Sequence, residues 1–211
     1  MRTLGTQKNM KPIHKIVFIA IVVATFPVLS QDSFVWDDVK DFTKLRNEFG
    51  WREDYRDLCE KDRPLKEMVD AVNSQDAEKI LSVTIPWLKQ CPVDIQAHMF
   101  ALVGYSIPKP TEAGRIHFKW YEGLINSILN SGDGKTAETA YVTISVAEEK
   151  ALLTYLELRP IEQALVSKPM RDLITAEDKN GKKVTIWFNP EAHFYRLSTW
   201  VKSLNLDGDE K

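Results

Sequence analysis

Residues 140–149 read Ala-Tyr-Val-Thr-Ile-Ser-Val-Ala-Glu-Glu, and two periodicities meet in them. Ala140, Val142 and Ile144 alternate with Tyr141, Thr143 and Ser145, the spacing of a half-buried strand. Ser145-Val146-Ala147-Glu148 has the form of a capping box, so the strand is expected to turn directly into a helix running to about Leu158. Everything upstream to about residue 130 has helical spacing, and everything downstream mixes strand and helix. The expected fold class is therefore α+β: N-terminal helical hairpins packed against a small, mostly antiparallel sheet with additional helices.

Upstream, Ser33 is placed to cap a helix through Phe34, Val35, Val39, Phe42 and Leu45 that stops near Gly50. A polar stretch from Arg52 to Arg63 follows. A short helix is predicted over 65–72, then Asp76 caps residues 77–90, with Pro86 expected to kink or split that helix. Asp94 caps residues 95–106, whose buried side is expected to hold Ile95, Met99, Leu102 and Val103. Ile107-Pro108-Lys109-Pro110 is a rigid connector, and Thr111 caps a long helix to about Asn130. Ile116, Trp120, Leu124 and Ile128 form its apolar stripe. Short connectors between consecutive helices give this half a tetratricopeptide-like look, although no 34-residue repeat is present.

Downstream, residues 161–167 are a candidate strand. Residues 173–178 and 183–188 flank Asn180-Gly181, a strong hairpin signal. A two-residue turn would pair Asp178 with Lys183 and Leu173 with Phe188. The core face would then carry Leu173, Thr175, Val184, Ile186 and Phe188. Asn189-Pro190 opens a last helix to about Leu204, and residues 207–211 (DGDEK) form a flexible acidic tail.

The N-terminus stands apart. Arg2, Lys8, Lys11 and Lys15 precede an uncharged run from Ile16 to Ser30. A basic start, a 7–15-residue apolar stretch and small residues at its end describe a secretory signal peptide, with cleavage between Ser30 and Gln31. An N-terminal membrane anchor is the alternative, but a spanning helix needs about 20 apolar residues. The expected organisation is a signal peptide over 1–30 and one α+β domain over 31–206, with 31–130 helical and 131–206 strand-containing. The mature chain would carry no membrane span and would be periplasmic or secreted. The whole sequence has 28 basic and 30 acidic residues. Without residues 1–30 it has 24 and 30, a charge of about −6, which argues against nucleic acid as a partner. Both cysteines, Cys59 and Cys91, lie in the mature part. An oxidising compartment favours a disulfide between them, with two buried free thiols as the alternative.

The segment SGDGKTAETAYVTISVAEE (131–149) is followed by Gln163-Ala164-Leu165, Asp172-Leu173, Gly181-Lys182 and Trp187-Phe188-Asn189. Upstream stand Pro92-Val93-Asp94-Ile95, Ala97-His98, Gly123-Leu124 and Ser127-Ile128. This ordered set resembles a bacterial family known only as domain of unknown function four-nine-one-nine, over about residues 90–190. Lys150 departs from the aromatic residue that usually follows the Glu pair. The resemblance implies a shared fold and an exported bacterial setting, and brings no activity, substrate or cofactor.

Candidate chemistry is sparse. Gly134-Lys135-Thr136 lacks the glycine that a phosphate-binding loop carries five places before its Gly-Lys; position 129 is Leu, and no nucleotide is expected. Gly132, Asp133, Gly134 and Lys135 nevertheless form the first candidate binding loop. Its plainer reading is a turn, because only one acid, Asp133, precedes Glu138 where a calcium loop would alternate several. Glu148 and Glu149 would point about 100° apart on a helix, which argues against a paired acid and base. His98, His117 and His193 fall on three helices without metal-ligand spacing, so no metal or other cofactor is expected. His98, His117 and Glu149 are the candidate polar cluster, with His98 and His117 able to meet if their helices pack antiparallel. There is no nucleophile elbow. Six scattered Trp residues are better core than sugar platform. The expected function is a non-catalytic binding module for a protein or cell-envelope component. The alternative is an envelope hydrolase acting on peptidoglycan or another polysaccharide.

Overall fold

The computed structural model describes Trp36 and residues 39–206. The signal peptide, its Ser30–Gln31 cut, the Ser33 cap and the acidic tail lie outside the described residues. Within them the fold is α+β, with seven α-helices, a π-helical turn and one four-stranded sheet.

Local capping chemistry sets most helix starts. Helix α1 (Phe42–Gly50) begins at Asp41, whose carboxylate accepts from Lys44 N at 2.9 Å. The expected earlier start is corrected here: Val39 and Lys40 precede the helix, because extended backbone at Asp41 (φ −137°) breaks the run. The Arg52–Arg63 stretch contains a π-helical turn, Arg56–Glu60. Helix α2 (Leu65–Asn73) is followed by α3 (Ala77–Gln90), capped by Asp76 and unbroken through Pro86. The predicted split does not occur. Helix α4 (Ile95–Tyr105) starts on Asp94 and α5 (Glu112–Leu129) on Thr111; the connector between them contains a cis Ile107–Pro108 bond.

Helix α4 packs on both α3 and α5, which corrects the expected one-sided burial. Ala97, His98, Phe100 and Ala101 are buried along with Ile95, while Met99, Leu102 and Val103 are half-buried. Trp120, Leu124 and Ile128 of α5 are buried as its stripe predicts.

The sheet has the order β1-β4-β3-β2. Strand β1 (Tyr141–Val142) lies parallel to β4 (Lys183–Asn189); β3 (Met170–Glu177) is antiparallel to both β4 and β2 (Arg159–Ser167). The alternating 140–145 stretch thus makes only two ladder residues. Thr143 and Ile144 are both buried, and the chain leaves the sheet for α6 (Val146–Tyr155).

The β3–β4 register differs by one residue from the two-residue-turn expectation. Asp172 pairs with Phe188, Leu173 with Trp187 and Glu177 with Lys183. Asp178 pairs with Lys182 rather than Lys183 across a three-residue loop: Asp178 N donates to Lys182 O and Gly181 N to Asp178 O, both at 3.0 Å. Gly181 takes φ +79°, the left-handed position that ends such a loop. A one-residue slip exchanges the two faces of a strand. The buried face therefore carries Asp172, Ile174, Ala176, Ile186 and Phe188, while Leu173 and Thr175 lie on the other face. The last helix, α7 (Glu191–Leu206), follows Asn189-Pro190 directly, with Asn189 Oδ1 accepting from Glu191 N.

Candidate binding cleft

Two helix starts and the disulfide enclose a cleft of about 250 Å³. Cys59 on the π-helical turn is bonded to Cys91, the C-cap of α3. The bridge closes a span of 32 residues and is worth roughly 3–4 kcal/mol in the chain-entropy model. It ties the Arg52–Arg63 stretch to the end of α3, where Gln90 Nε2 also donates to Asp57 O and Leu58 O.

Asp94 does more than cap α4. Its Oδ1 accepts from Ala97 N (3.1 Å) and Arg63 Nη2 (2.9 Å), and its Oδ2 from Arg63 Nε (2.7 Å) and Trp87 Nε1 (2.8 Å). Four donors on a buried carboxylate make a charge-assisted, bidentate clamp. Across the cleft, Ser145 caps α6 by accepting from Glu148 N. The Glu half of the expected capping box departs from its pattern. Glu148 Oε2 accepts from Ile144 N (2.8 Å) and from Arg46 Nη1 (2.7 Å), not from Ser145 N. Arg46, 1% exposed, also donates to Val142 O and Ser127 Oγ, and so joins α1, α5 and α6. Burial pushes the Glu148 carboxyl upward, and the Arg46 charge opposes it. Glu148 Oε1 has no hydrogen-bond partner among the described residues.

Behind the cleft, Arg196 of α7 donates to Gly50 O and Ile144 O and lies 4.0 Å from the centre of the Tyr55 ring. Burial lowers the Arg196 pKa and raises that of the Tyr55 hydroxyl. Glu60 is held low by His193 first and then by Arg196, each 3.6 Å away.

The candidates from the sequence fall in three separate places. His98 and His117 meet in the core, Nδ1 to Nδ1 at 2.9 Å. His98 Nε2 lies 2.8 Å from Pro92 O; a carbonyl only accepts, so Nε2 carries the His98 proton and Nδ1 is the acceptor. His117 Nδ1 is then the donor. Trp120 stacks on His98, Tyr105 stacks on His117, and the Trp36 ring lies against both imidazoles. Burial depresses their pKa values to about 3 and about 4, so both are neutral at pH 7.

Glu149 does not join the histidines. It is 1% exposed and accepts from Thr143 Oγ1 at 3.5 Å. Burial first, and the Asp172 carboxylate second, push it up to about 8. Asp172 escapes sequence reasoning because its face depends on the hairpin register.

The Gly132–Lys135 loop is tied into the sheet. Asp133 N and Gly134 N both donate to Thr139 O, and Trp187 N donates to Gly134 O. The Asp133 carboxylate accepts from Lys135 N and Thr139 Oγ1, with Lys135 Nζ 3.1 Å away. The Thr139 bond and the Lys135 contacts hold its pKa down at about 2.

Among the described residues, no three His, Cys, Asp or Glu side chains are grouped to hold a metal ion. Nor is any helix among them long and apolar enough to cross a membrane. Sequence reasoning found the Asp94 and Ser145 caps and the cysteines. It missed Arg46, Tyr55, Arg63 and Arg196, since isolated cations and phenols carry no local signal of burial.

The chain belongs to the family described as Domain of unknown function (DUF4919), whose model matches residues 30–195. No curated protein and no solved structure matches it.

Proposed function

We propose that this chain is an exported bacterial protein that acts in the cell envelope as a non-catalytic binding module, with the cleft as its binding surface. Export is supported by the basic start and uncharged run of residues 1–30. The Cys59–Cys91 bridge adds to it, because such bonds persist in oxidising compartments.

The observation that carries the binding reading is the commitment of the cleft's charged groups to one another. Asp94 already accepts four hydrogen bonds, and Glu148 Oε2 accepts two. Asp94 is thus fully committed, and Glu148, without a partner only at Oε1 among the described residues, is 3% exposed, whereas a general base needs a lone pair that its substrate can reach. A hydrolase would draw on Glu149, whose raised pKa suits a general acid. That side chain is enclosed between Thr143 and Asp172 and is not part of the cleft wall.

The test is hydrogen–deuterium exchange of the purified protein with solubilised envelope fractions. The expected result is protection confined to residues 95–97 and 146–148, with the fraction recovered unaltered. No protection by any fraction overturns the binding reading, and consumption of the fraction overturns its non-catalytic part. Intact mass of the exported protein tests the rest: the chain should start at Gln31 and lack two hydrogens relative to its reduced form.

A further inference from the structure

Strand β2 is an open edge of the sheet. It pairs with β3 alone, and every one of its residues is exposed except the half-buried Val166. In an antiparallel ladder every second residue turns both its N–H and its C=O away from the partner strand. Between Glu162 and Ser167 none of these outward groups finds a hydrogen-bond partner off the sheet among the described residues.

Apolar surface runs out to the same edge. Leu165 pairs with Asp172 and so shares the sheet face that elsewhere carries the core. At 55% exposure it is nevertheless the most exposed large apolar side chain among the described residues. Met170, paired with Ser167 on that face, is exposed as well. Proteins blunt such edges with proline, charge or a bulge. Here Pro160 and the irregularity after it mark the start of the strand, and Lys168-Pro169 follow its end. Residues 162–167 between them hold one charge, Glu162, and no proline. The opposite edge of the sheet, β1, has only two ladder residues.

We propose that this edge pairs with the same edge of a second copy, β2 against β2 and antiparallel, so that one sheet runs through a twofold dimer. The axis of such a ladder sets one residue opposite its own copy. Centred on Leu165, it sets Leu165 against Leu165, Ala164 against Val166, Gln163 against Ser167 and Glu162 against Lys168. Charge selects this centre. Neither Glu162 nor Lys168 has a hydrogen-bond or ion-pair partner among the described residues, and unlike charges directly opposite each other stabilise a ladder. Moving the centre to Ala164 or Val166 sets Glu162 against Val166 or Met170 and loses both ion pairs. No other centre within β2 opposes unlike charges. The surface is separate from the cleft, and the proposal does not rest on the binding reading.

The test is sedimentation equilibrium of the purified protein, with hydrogen–deuterium exchange of the wild type as a function of its concentration. The expected result is a monomer–dimer equilibrium in which exchange of the 162–167 amides slows as the dimer fills. Glu162→Lys and Lys168→Glu should each weaken association at least tenfold, because each sets like charges opposite one another. Combining the two should restore it, since the exchanged pair is again unlike. All of these positions are exposed, so the melting temperature of the monomer should not move. A wild-type chain that stays monomeric at millimolar concentration overturns the proposal. So does a dimer whose formation leaves exchange at 162–167 unchanged, a result that needs no variant. A dimer that neither single charge variant weakens overturns it too.

Discussion

Arg46 Nη1 lies 2.7 Å from Glu148 Oε2, and both side chains are almost wholly enclosed, at 1% and 4% exposure. The pair joins α1 to α6 across 102 positions of sequence, and Arg46 Nε and Nη1 also donate to Ser127 Oγ and Val142 O. Removing one member of such a pair strands a charge, which costs about 3–5 kcal/mol. Arg46→Met should therefore lower the unfolding free energy by that amount, read as a lower urea midpoint. Arg46→Met combined with Glu148→Gln should recover part of the loss, since no buried charge is then left alone. Equal midpoints for the single and double variants would show that Glu148 already sheds its charge in the native protein.

The three shifted core groups predict how stability follows pH. The folded pKa values of His98 and His117 are depressed to about 3 and about 4, against roughly 6.5 unfolded. Below 6.5 the unfolded chain binds more protons at these two sites, so they make stability rise with pH up to that point. Glu149 acts oppositely. Its folded pKa of about 8 lies above the unfolded value of about 4.3. The native state thus binds the extra proton, and stability falls as pH rises between those limits. Two rising contributions outweigh one falling contribution below about 6.5, and the falling one stands alone above it. The unfolding free energy from urea titration should peak near pH 6–7 and drop by about 2 kcal/mol by pH 8. Glu149→Gln should therefore flatten that alkaline limb.

What was legible in the sequence follows from how local each cause is. Asp76, Asp94, Thr111 and Ser145 each cap the helix that begins beside them, because a cap is decided within three residues. The cysteine pair followed from the inferred compartment. The hairpin face did not follow, because Asn180-Gly181 suits a two-residue turn and Gly181 equally suits the end of a three-residue loop. That one-residue ambiguity moved Asp172 into the core beside Glu149. Arg46 and Arg196 were opaque because their partners come from distant segments: the carbonyls of Val142, Gly50 and Ile144 lie 52–146 positions away.

Reduction of the Cys59–Cys91 bond should cost roughly 3–4 kcal/mol. Both cysteines also line the cleft, so the loss should not be confined to stability. In Cys59→Ser/Cys91→Ser, exchange at residues 56–63 should rise more than exchange in α5, which packs elsewhere. Uniform acceleration across the chain would mean that the bridge acts only on the unfolded state.

Asp172→Asn tests the hairpin register through chemistry rather than through coordinates. In the observed register Asp172 pairs with Phe188 on the buried face, is 6% exposed and raises the Glu149 pKa. Neutralising it removes a like charge beside Glu149, so the Glu149 pKa should fall toward the ordinary carboxylate range. The native state then gives up its extra proton at lower pH, which narrows the window over which stability is lost. The variant should gain on wild type at pH 8 and converge with it near pH 5, where Glu149 is protonated in both. A carbon-detected titration of the Glu149 carboxyl reads the same shift directly. Were the strands slipped by one, Asp172 would stand on the opposite face of the sheet. Its substitution would then leave both the titration and the pH profile unchanged.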